Sequence, residues 1–253
     1  MFAGKKILVL GVANQKSIAW AISEALHKQG AELAFTYVNE AIEKRLRPLA
    51  ESINCETVLP CDVASDEELD NLFAELESRW GKIDGIVHSV AYAEREDLGR
   101  PFYETSRKGF ATALDISAYS LVAVAGRAQK LMTDGGSIIT LSYLGAERVV
   151  KNYNIMGVAK AALGACVRYL AAELGQNNIR VNAISAGPIK TLAASGIPEF
   201  KKLLAEFAER APLRRNTSLE DVANTALFYL GNMGSGISGE TTYVDCGFNI
   251  MGL

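Results

Sequence analysis

Short apolar runs alternate with longer amphipathic segments along the chain, and this alternation predicts its secondary structure. In the first repeat, Ile7–Gly11 is an apolar run typical of a buried strand, and Ser17–Gln29 carries apolar residues at helical spacing. The same pattern predicts strands at Ile7–Gly11, Glu32–Tyr37, Thr57–Leu59, Ile83–Val90, Ser137–Leu141, Ile179–Ile184 and Thr241–Val244. Strands separated by helical segments need crossover connections, so the sheet is expected to be mostly parallel.

The segments between the strands predict helices on both faces of that sheet. Asn39 is expected to cap the second helix, and Ser65-Asp-Glu-Glu68 is a capping box that opens the third. Two helices are predicted between Thr105 and Met132, one from Tyr153 to about Leu174, and one over Ser218–Leu230. The predicted fold class is α/β, with a single doubly wound Rossmann-type domain over residues 1–253 and a mostly parallel seven-stranded sheet.

Residues suited to binding follow several of the predicted strands. They are Gly11, Asp62, Ser89–Ala91, Ser142–Tyr143 and Gly187–Pro188. In a parallel sheet, ligands bind beyond the carboxyl ends of the strands, near the point where the strand order reverses. We therefore expect these residues to lie around one site.

The chain has two phenols and one ammonium at spacings that allow them to act in one site. They belong to Tyr143, Tyr153 and Lys160. The separation of Tyr153 from Lys160 corresponds to nearly two helical turns, so both are expected on one face of a helix. A neighbouring ammonium favours the ionised form of a phenol and strengthens its hydrogen-bond donation, which suits a site that stabilises an oxyanion. The alternative is that both side chains lie on a helix surface and serve solubility.

The loop after the first strand predicts a phosphate site. A helix N-terminus offers free N–H groups and a favourable dipole to an anion, and Ser17 and the amide of Ile18 stand at that position. The alternative is that Ser17 only caps the helix, and both can hold. The usual G-x-G-x-x-G pattern is absent, because Gly11 is the one glycine of this loop. Asp62 is a candidate acceptor for an adenine amino group, or else a turn aspartate.

Composition and charge argue against several classes of protein. The net charge of -3 gives no reason to expect a nucleic acid partner. The four cysteines have no C-x-x-C spacing, so neither a disulfide framework nor a metal site is expected. No uninterrupted apolar run approaches about 18 residues, so no membrane span is expected. With no signal peptide ahead of the first strand, the cytoplasm is the expected location.

The motifs around these residues resemble the short-chain dehydrogenase/reductase superfamily and, more narrowly, its bacterial enoyl-[acyl-carrier-protein] reductases. The resemblance covers essentially the whole chain and is most specific at Leu141–Arg148, at Tyr153-x6-Lys160 and over Arg180–Gly196. Members that reduce ketones use a Tyr-x3-Lys spacing, whereas Gly157 is the fourth residue after Tyr153 in this chain. This departure favours the enoyl branch.

The resemblance implies a role for each candidate residue. Tyr153 would bond the thioester carbonyl oxygen with Tyr143 beside it, Lys160 would hold the ribose of the nicotinamide, and Ala93 would border the substrate. The residues implied to bind the cofactor are Gly11, Ser17, Ile18, Asp62, Val63, Val90, Lys160, Ile189, Lys190, Thr191, Leu192 and Ala193. The implied reaction is reduction of the trans-2 double bond of enoyl thioesters on acyl carrier protein, in type II fatty acid biosynthesis, by a homotetramer.

The choice of cofactor is less well determined. NADH (the NAD couple) is preferred and NADP stays open, because the end of the second strand, Tyr37-Val38-Asn39-Glu40, lacks a discriminating acidic or basic residue at the obvious place. Val38 stands where NADH-using relatives often carry glutamine. Glu94 follows Ala93 where a proline is common, so the loop beside the substrate is expected to differ.

Small residues followed by an amphipathic helix predict a substrate-binding lid at about residues 191–210. Two other functions stay open. One is a short-chain ketone or alcohol oxidoreductase on the same fold, which Gly157 disfavours. The other is a non-catalytic nucleotide-binding sensor, against which the presence of both Tyr153 and Lys160 argues.

Overall fold

The computed structural model describes residues 1–191 and 200–252 of the chain. Within them, seven parallel strands form one sheet in the order β3-β2-β1-β4-β5-β6-β7. The strands are β1 (Lys6–Leu10), β2 (Glu32–Tyr37), β3 (Thr57–Pro60), β4 (Gly85–His88), β5 (Gly136–Ser142), β6 (Ile179–Ala186) and β7 (Thr241–Val244). The predicted α/β class and parallel sheet are confirmed, and this sheet has no antiparallel pair.

Strand β4 is shorter than its apolar run, which predicted Ile83–Val90. Its bounds follow its neighbours, because Gly85 to His88 pair with β1 on one side and with β5 on the other. Beyond His88 the amide of Ser89 donates to the carbonyl of Leu10 at 3.0 Å, and the chain then leaves the sheet. Ser89 and Val90 are thereby free to line a cavity at the strand end.

Helices cover both faces of the sheet and bury a separate core on each. The described helices are α1 (Ile18–Lys28), α2 (Glu40–Ser52), α3 (Asp66–Trp80), α4 (Arg95–Gly99), α5 (Arg107–Leu114), α6 (Ser120–Ala128), α7 (Asn154–Leu174), α8 (Phe200–Arg210) and α9 (Leu219–Leu230). Apolar residues of α3, α6 and α7 pack on one face, and those of α1, α2 and α9 pack on the other. Two covered faces explain why the strands read as continuous apolar runs.

Two helix starts follow the capping chemistry of the sequence, one of them only in part. Asn39 accepts from the amide of Ile42 at 3.1 Å and so caps α2. The hydroxyl of Ser65 accepts from the amide of Glu68 at 3.2 Å, as a capping box requires. The carboxylate of Glu68, however, accepts from the amide of Asp62 at 2.7 Å. The second half of the predicted box therefore fixes the loop at the end of β3.

The two helices predicted between Thr105 and Met132 are joined without a break. A π-helical segment, Asp115–Tyr119, connects α5 to α6. Such segments insert one extra residue per turn and occur often at functional sites. This one carries Ser117 and Ile116 toward the end of the sheet that holds the cavity.

Two helical stretches are long and apolar enough to cross a membrane by length and composition alone, Arg107–Ala128 and Asn154–Asn177. Each has a mean hydropathy of 1.4, and 50% and 39% of their apolar windows are buried inside the protein. Core helices that pack on a sheet meet the same criteria. The buried sides of α6 and α7 do pack on the sheet, so their apolar composition has a structural cause.

Candidate active site

A cavity of about 610 Å³ opens beyond the carboxyl ends of β1, β4 and β5. The chain moves outward from β1 to β2 and β3 on one side and to β4 on the other, so this is where the strand order reverses. Its lining includes Gly11, Ser17, Ile18, Thr36, Tyr37, Val38, Asp62, Val63, Val90, Tyr92, Ile116, Ser142, Tyr153, Lys160 and Thr191. The predicted residues from several strand ends are thus brought together.

Gly11 allows the loop after β1 to lie tight against the end of β4. Its φ is +94°, a conformation that side chains disfavour. A Cβ added at this position would stand 2.0 Å from the carbonyl oxygen of Ser89. Any larger residue would therefore push the loop away from β4 and distort this end of the cavity.

Ser17 occupies the N-cap position of α1 without capping it through its side chain. Its hydroxyl donates instead to the carbonyl of Asn14 at 2.6 Å, and its amide donates to the same carbonyl at 3.0 Å. Ser17 is therefore the N-cap residue by its backbone, but its side chain does not cap the helix. The side chain of Ser17 does not accept a hydrogen bond from the first backbone amides of α1. The N-terminus of the helix at Ile18 therefore keeps N–H donors for an anion.

Asp62 combines a turn with a place in the cavity wall. One of its carboxylate oxygens accepts from the amide of Ala64 at 3.0 Å, while its own amide is held by Glu68. Beside it, burial raises the pKa of the Cys61 thiol to about 12. The turn reading of Asp62 is thus correct, and the same turn places Asp62 and Val63 in the lining.

Tyr153 precedes α7 and is not part of it, because the helix begins at Asn154. Its backbone is nevertheless near helical, at φ -99° and ψ -25°, so it remains in line with Lys160. The ring of Tyr143 meets the ring of Tyr153 edge-on, with centroids 4.9 Å apart and planes at 66°. The two phenols are therefore in contact, as the sequence predicted, and Tyr153 lines the cavity.

Lys160 lies buried at the base of the cavity, with 6% of its surface exposed. Its ammonium donates to the carbonyl of Leu141 at 2.7 Å, which ties α7 to the end of β5. Burial lowers the pKa of Lys160 from 10.5 to about 8. Two further N–H donors belong to this ammonium, and it lies in the cavity lining.

The expected ionisation of Tyr153 is corrected by its surroundings. Burial, and secondly Tyr143, raise the pKa of Tyr153 above its usual value of 10.0. Burial raises the pKa of Tyr143 as well. Tyr153 is therefore a neutral phenol near neutrality, and its hydroxyl can donate a hydrogen bond.

His88 is a structural histidine, because it is fully buried and both of its ring nitrogens have hydroxyl partners. Its Nδ1 lies 3.0 Å from the hydroxyl of Thr140, and its Nε2 lies 2.8 Å from the hydroxyl of Ser120. Burial, and secondly the charge of Lys160, lower its pKa to about 3. The imidazole is thus neutral, and it links β4 to β5 and to the first turn of α6.

No sequence signal indicated the residues that shape the cavity wall around Tyr92. The hydroxyl of Ser117 donates to the carbonyl of Tyr92 at 2.9 Å and accepts from its amide at 2.9 Å. The phenol of Tyr92 donates to Glu94 at 2.9 Å. Tyr92 lines the cavity beside Val90, whereas Ala93 is absent from that lining. No sequence motif marks the π-helical segment that supplies Ser117.

The loop after β6 reaches the cavity through Thr191, whose amide donates to the carbonyl of Ile189 at 2.8 Å. Lys190 is exposed between them. Leu192 and Ala193, also predicted to close over the cofactor, lie outside the described residues.

The sequence of the chain is similar to those of known proteins over almost its whole length. Residues 11–249 match a family model described as Enoyl-(Acyl carrier protein) reductase. The enoyl-[acyl-carrier-protein] reductase [NADH] FabI of Bacillus cereus is 53% identical over 254 residues, covering 100% of this chain and 99% of the relative. That of Rickettsia bellii is 52% identical over 252 residues, covering 100% and 96%.

Solved structures share the fold over the whole chain. A crystal structure of the Bacillus cereus enoyl-acyl carrier protein reductase with NADP+ and indole naphthyridinone has a TM-score of 0.98 at 53% identity, covering 100% of both chains. The reductase of Anaplasma phagocytophilum in complex with NAD has a TM-score of 0.96 at 50% identity, covering 100% of this chain and 96% of that one.

Proposed function

The chain belongs to the enoyl-[acyl-carrier-protein] reductase family of fatty acid biosynthesis, and from this premise we propose how its residues bind cofactor and substrate. The reaction reduces the trans-2 double bond of an enoyl thioester. The observation that carries the assignment of roles is the meeting of Tyr153 and Lys160 in one cavity beyond the carboxyl ends of parallel strands. The activity is tested by an assay with crotonyl thioester in which the loss of NADH absorbance is measured. The absence of turnover would contradict the proposed activity.

The cavity suits a dinucleotide in its donors and its shape. At one end Asp62 and Val63 offer an edge for adenine, and the amide of Ile18 offers a donor for the pyrophosphate. At the other end the ammonium of Lys160 offers donors for the ribose hydroxyls. When bound, the nicotinamide supplies the hydride to the β-carbon of the substrate.

Tyr153 stabilises the charge that develops on the thioester oxygen. Its pKa is raised, so its hydroxyl stays protonated and donates a hydrogen bond to the enolate oxygen. The edge of Tyr143 packs on its ring and limits its rotation. Tyr143 thus helps to aim the hydroxyl, and either the phenol or a relayed water can then protonate the enolate.

NADH is proposed as the physiological cofactor. Lys44, a candidate partner for the extra phosphate of NADPH, is paired with Glu40 at 2.6 Å, and Arg47 is paired with Glu43. Val38, which is half exposed at the end of β2, carries no charge. Relatives are named for NADH, although the Bacillus cereus structure holds NADP+. We expect kcat/KM to be higher with NADH than with NADPH when the two are compared in one assay.

We retain the prediction of a single domain with a lid at about residues 191–210. Helix α8 supports it, because Phe207 is anchored by stacking on Phe248, with centroids 4.5 Å apart. The charge of Arg210 lies 5.7 Å above the same ring. This end of α8 can therefore stay in place while the segment before it moves.

The backbone amides of residues 192–206 are expected to exchange hydrogen faster in the free protein than with cofactor and an acyl substrate analogue bound together. Ordering on the acyl chain would slow exchange, since protection reports local opening. Hydrogen exchange followed by mass spectrometry measures this, and the amides of β5 serve as an internal control. Equal protection of this segment in both states would contradict the lid.

A homotetramer is proposed from the family and from the outer surfaces of α5 and α7. Phe110 on α5 and Val158 and Tyr169 on α7 are apolar or aromatic and exposed in the single chain. Exposed apolar patches on otherwise polar surfaces mark contacts with other chains.

The free cysteines, two of them buried, suit the reducing cytoplasm that we propose as the location.

Light scattering after size exclusion is expected to give four times the 27.2 kDa of one chain. Replacing both Val158 and Tyr169 by glutamate should yield a smaller species, because charges buried at an interface without partners are costly. Leu213→Glu, at an exposed apolar residue away from α7, is the control and should leave the mass unchanged. An unchanged mass in the double variant would place the interface elsewhere.

A further inference from the structure

Two glycines pack the loop after β5 against the start of α7. The carbonyl oxygen of Gly145 would lie 2.7 Å from a Cβ added at Gly157, one helical turn into α7. This contact is with backbone, which cannot rotate aside as a flexible side chain can. Any residue larger than glycine at position 157 must therefore push the Gly145 loop outward.

Gly145 in turn lies flat against the ring of Tyr153. A Cβ added at Gly145 would stand 2.4 Å from Cδ1 of that ring and 2.9 Å from Cε1. The ring has little freedom to yield, because Tyr143 packs edge-on against it. A methyl group at position 145 must therefore move the phenol.

Neither glycine is explained by backbone conformation. Both lie outside the positive-φ glycines of the chain, so alanine could adopt the backbone of either. Glycine inside a helix is about 1 kcal/mol less favourable than alanine, so Gly157 carries a local cost. The contacts with Gly145 and Tyr153 give that cost a reason.

We propose that Gly145 and Gly157 are positioning residues that set where the hydroxyl of Tyr153 stands in the cavity. The inference rests on the proposed role of Tyr153 and extends it to two residues that lie outside the lining of the proposed cofactor cavity. It also accounts for the spacing of the motif. The fourth residue after Tyr153 faces a backbone oxygen with no room for a side chain, so the ammonium comes from Lys160, nearly one turn further along α7.

Gly145→Ala is expected to lower kcat about 10²-fold, because displacing a catalytic group by roughly 1 Å has effects of that size. The dissociation constant for NADH, measured by fluorescence titration, should stay unchanged. Gly157→Ala should act in the same direction. Gly164→Ala is the matched control in the same helix, because the nearest atom to its added Cβ is Arg168 Nη1 at 3.9 Å, and it should keep full activity.

A double-mutant cycle separates positioning from general damage. In a Tyr153→Phe background, Gly145→Ala should change kcat by less than about twofold, because coupled residues are not additive. Additive losses would overturn the proposal, and so would full activity in Gly145→Ala. Full activity in Tyr153→Phe alone would instead reject the role of the tyrosine itself, and the proposal with it.

Stability keeps the test informative if Gly145→Ala does not fold. The clash is with the ring of Tyr153, so removing that ring in Tyr153→Ala should abolish the loss of stability caused by Gly145→Ala. The double variant is then expected to fold and bind NADH like Tyr153→Ala alone. An equally large loss of thermal stability in both backgrounds would overturn the proposal.

Discussion

Tyr153→Phe is expected to lower the turnover of an enoyl thioester about 10²–10³-fold, the usual effect of removing one donor to an oxyanion. The change removes one oxygen and keeps the ring, so the contact with Tyr143 and the packing on Gly145 should survive. The dissociation constant for NADH is therefore expected to stay close to that of the parent protein. Steady-state kinetics and fluorescence titration measure the two quantities separately.

The same chemical change elsewhere on α7 gives the control. Tyr169 is 74% exposed and lies outside the cavity lining, so Tyr169→Phe should turn over normally. If Tyr153→Phe keeps normal turnover, the phenol has no part in the mechanism. A loss confined to NADH binding would make Tyr153 a cofactor ligand only.

Lys160→Met is expected to weaken NADH binding and to reduce turnover while making the cofactor-free protein more stable. The pKa lowered from 10.5 to about 8 means that burying the charge costs on the order of 3 kcal/mol. Removing the charge in the variant recovers this free energy. Losing the hydrogen bond to the carbonyl of Leu141 costs the variant about 1 kcal/mol. The net gain of about 2 kcal/mol corresponds to several degrees in Tm for a chain of this length.

The stability difference should depend on pH in a defined direction. The ammonium is disfavoured in the folded state, so its penalty is fully present below pH 8 and disappears as pH rises from about 8 toward 10.5. Thermal unfolding of both proteins across this range should therefore show their Tm values converging. A variant that binds NADH normally, or that is less stable at pH 7, would contradict a buried ammonium reserved for the cofactor.

Most of the fold was predictable because its signals are local. β2 and β7 have the predicted bounds, the run of β3 differs by one residue at one end, and the runs of β1 and β5 differ by one residue at each end. The π-helical segment Asp115–Tyr119 was not predictable, because its residues are ordinary helix residues and its geometry depends on packing. Strand β4 was overestimated, because apolar residues that line a cavity look the same in sequence as those of a strand.

The site divides in the same way. Tyr153 and Lys160 follow from spacing, and Gly11 and Asp62 follow from their places at strand ends. The direction in which the pKa of Tyr153 shifts could not be predicted from the spacing. Burial is the largest cause of the shift, and the sequence gives neither burial nor the distance to the charge of Lys160. The hydrogen bond between Ser117 and Tyr92 joins residues far apart in the chain, and no sequence pattern marks either partner.

The strand order also has a consequence for how the chain acquires its structure. β1 lies near the centre of the sheet, and Ile7 pairs not only with Leu33 but also with Gly85, which is synthesised much later. β6 must likewise wait for Thr241 before its outer edge is covered. Parallel pairings between distant segments make folding slow and leave strand edges open in the meantime. Refolding from denaturant is therefore expected to compete with aggregation, and yields should fall as protein concentration rises.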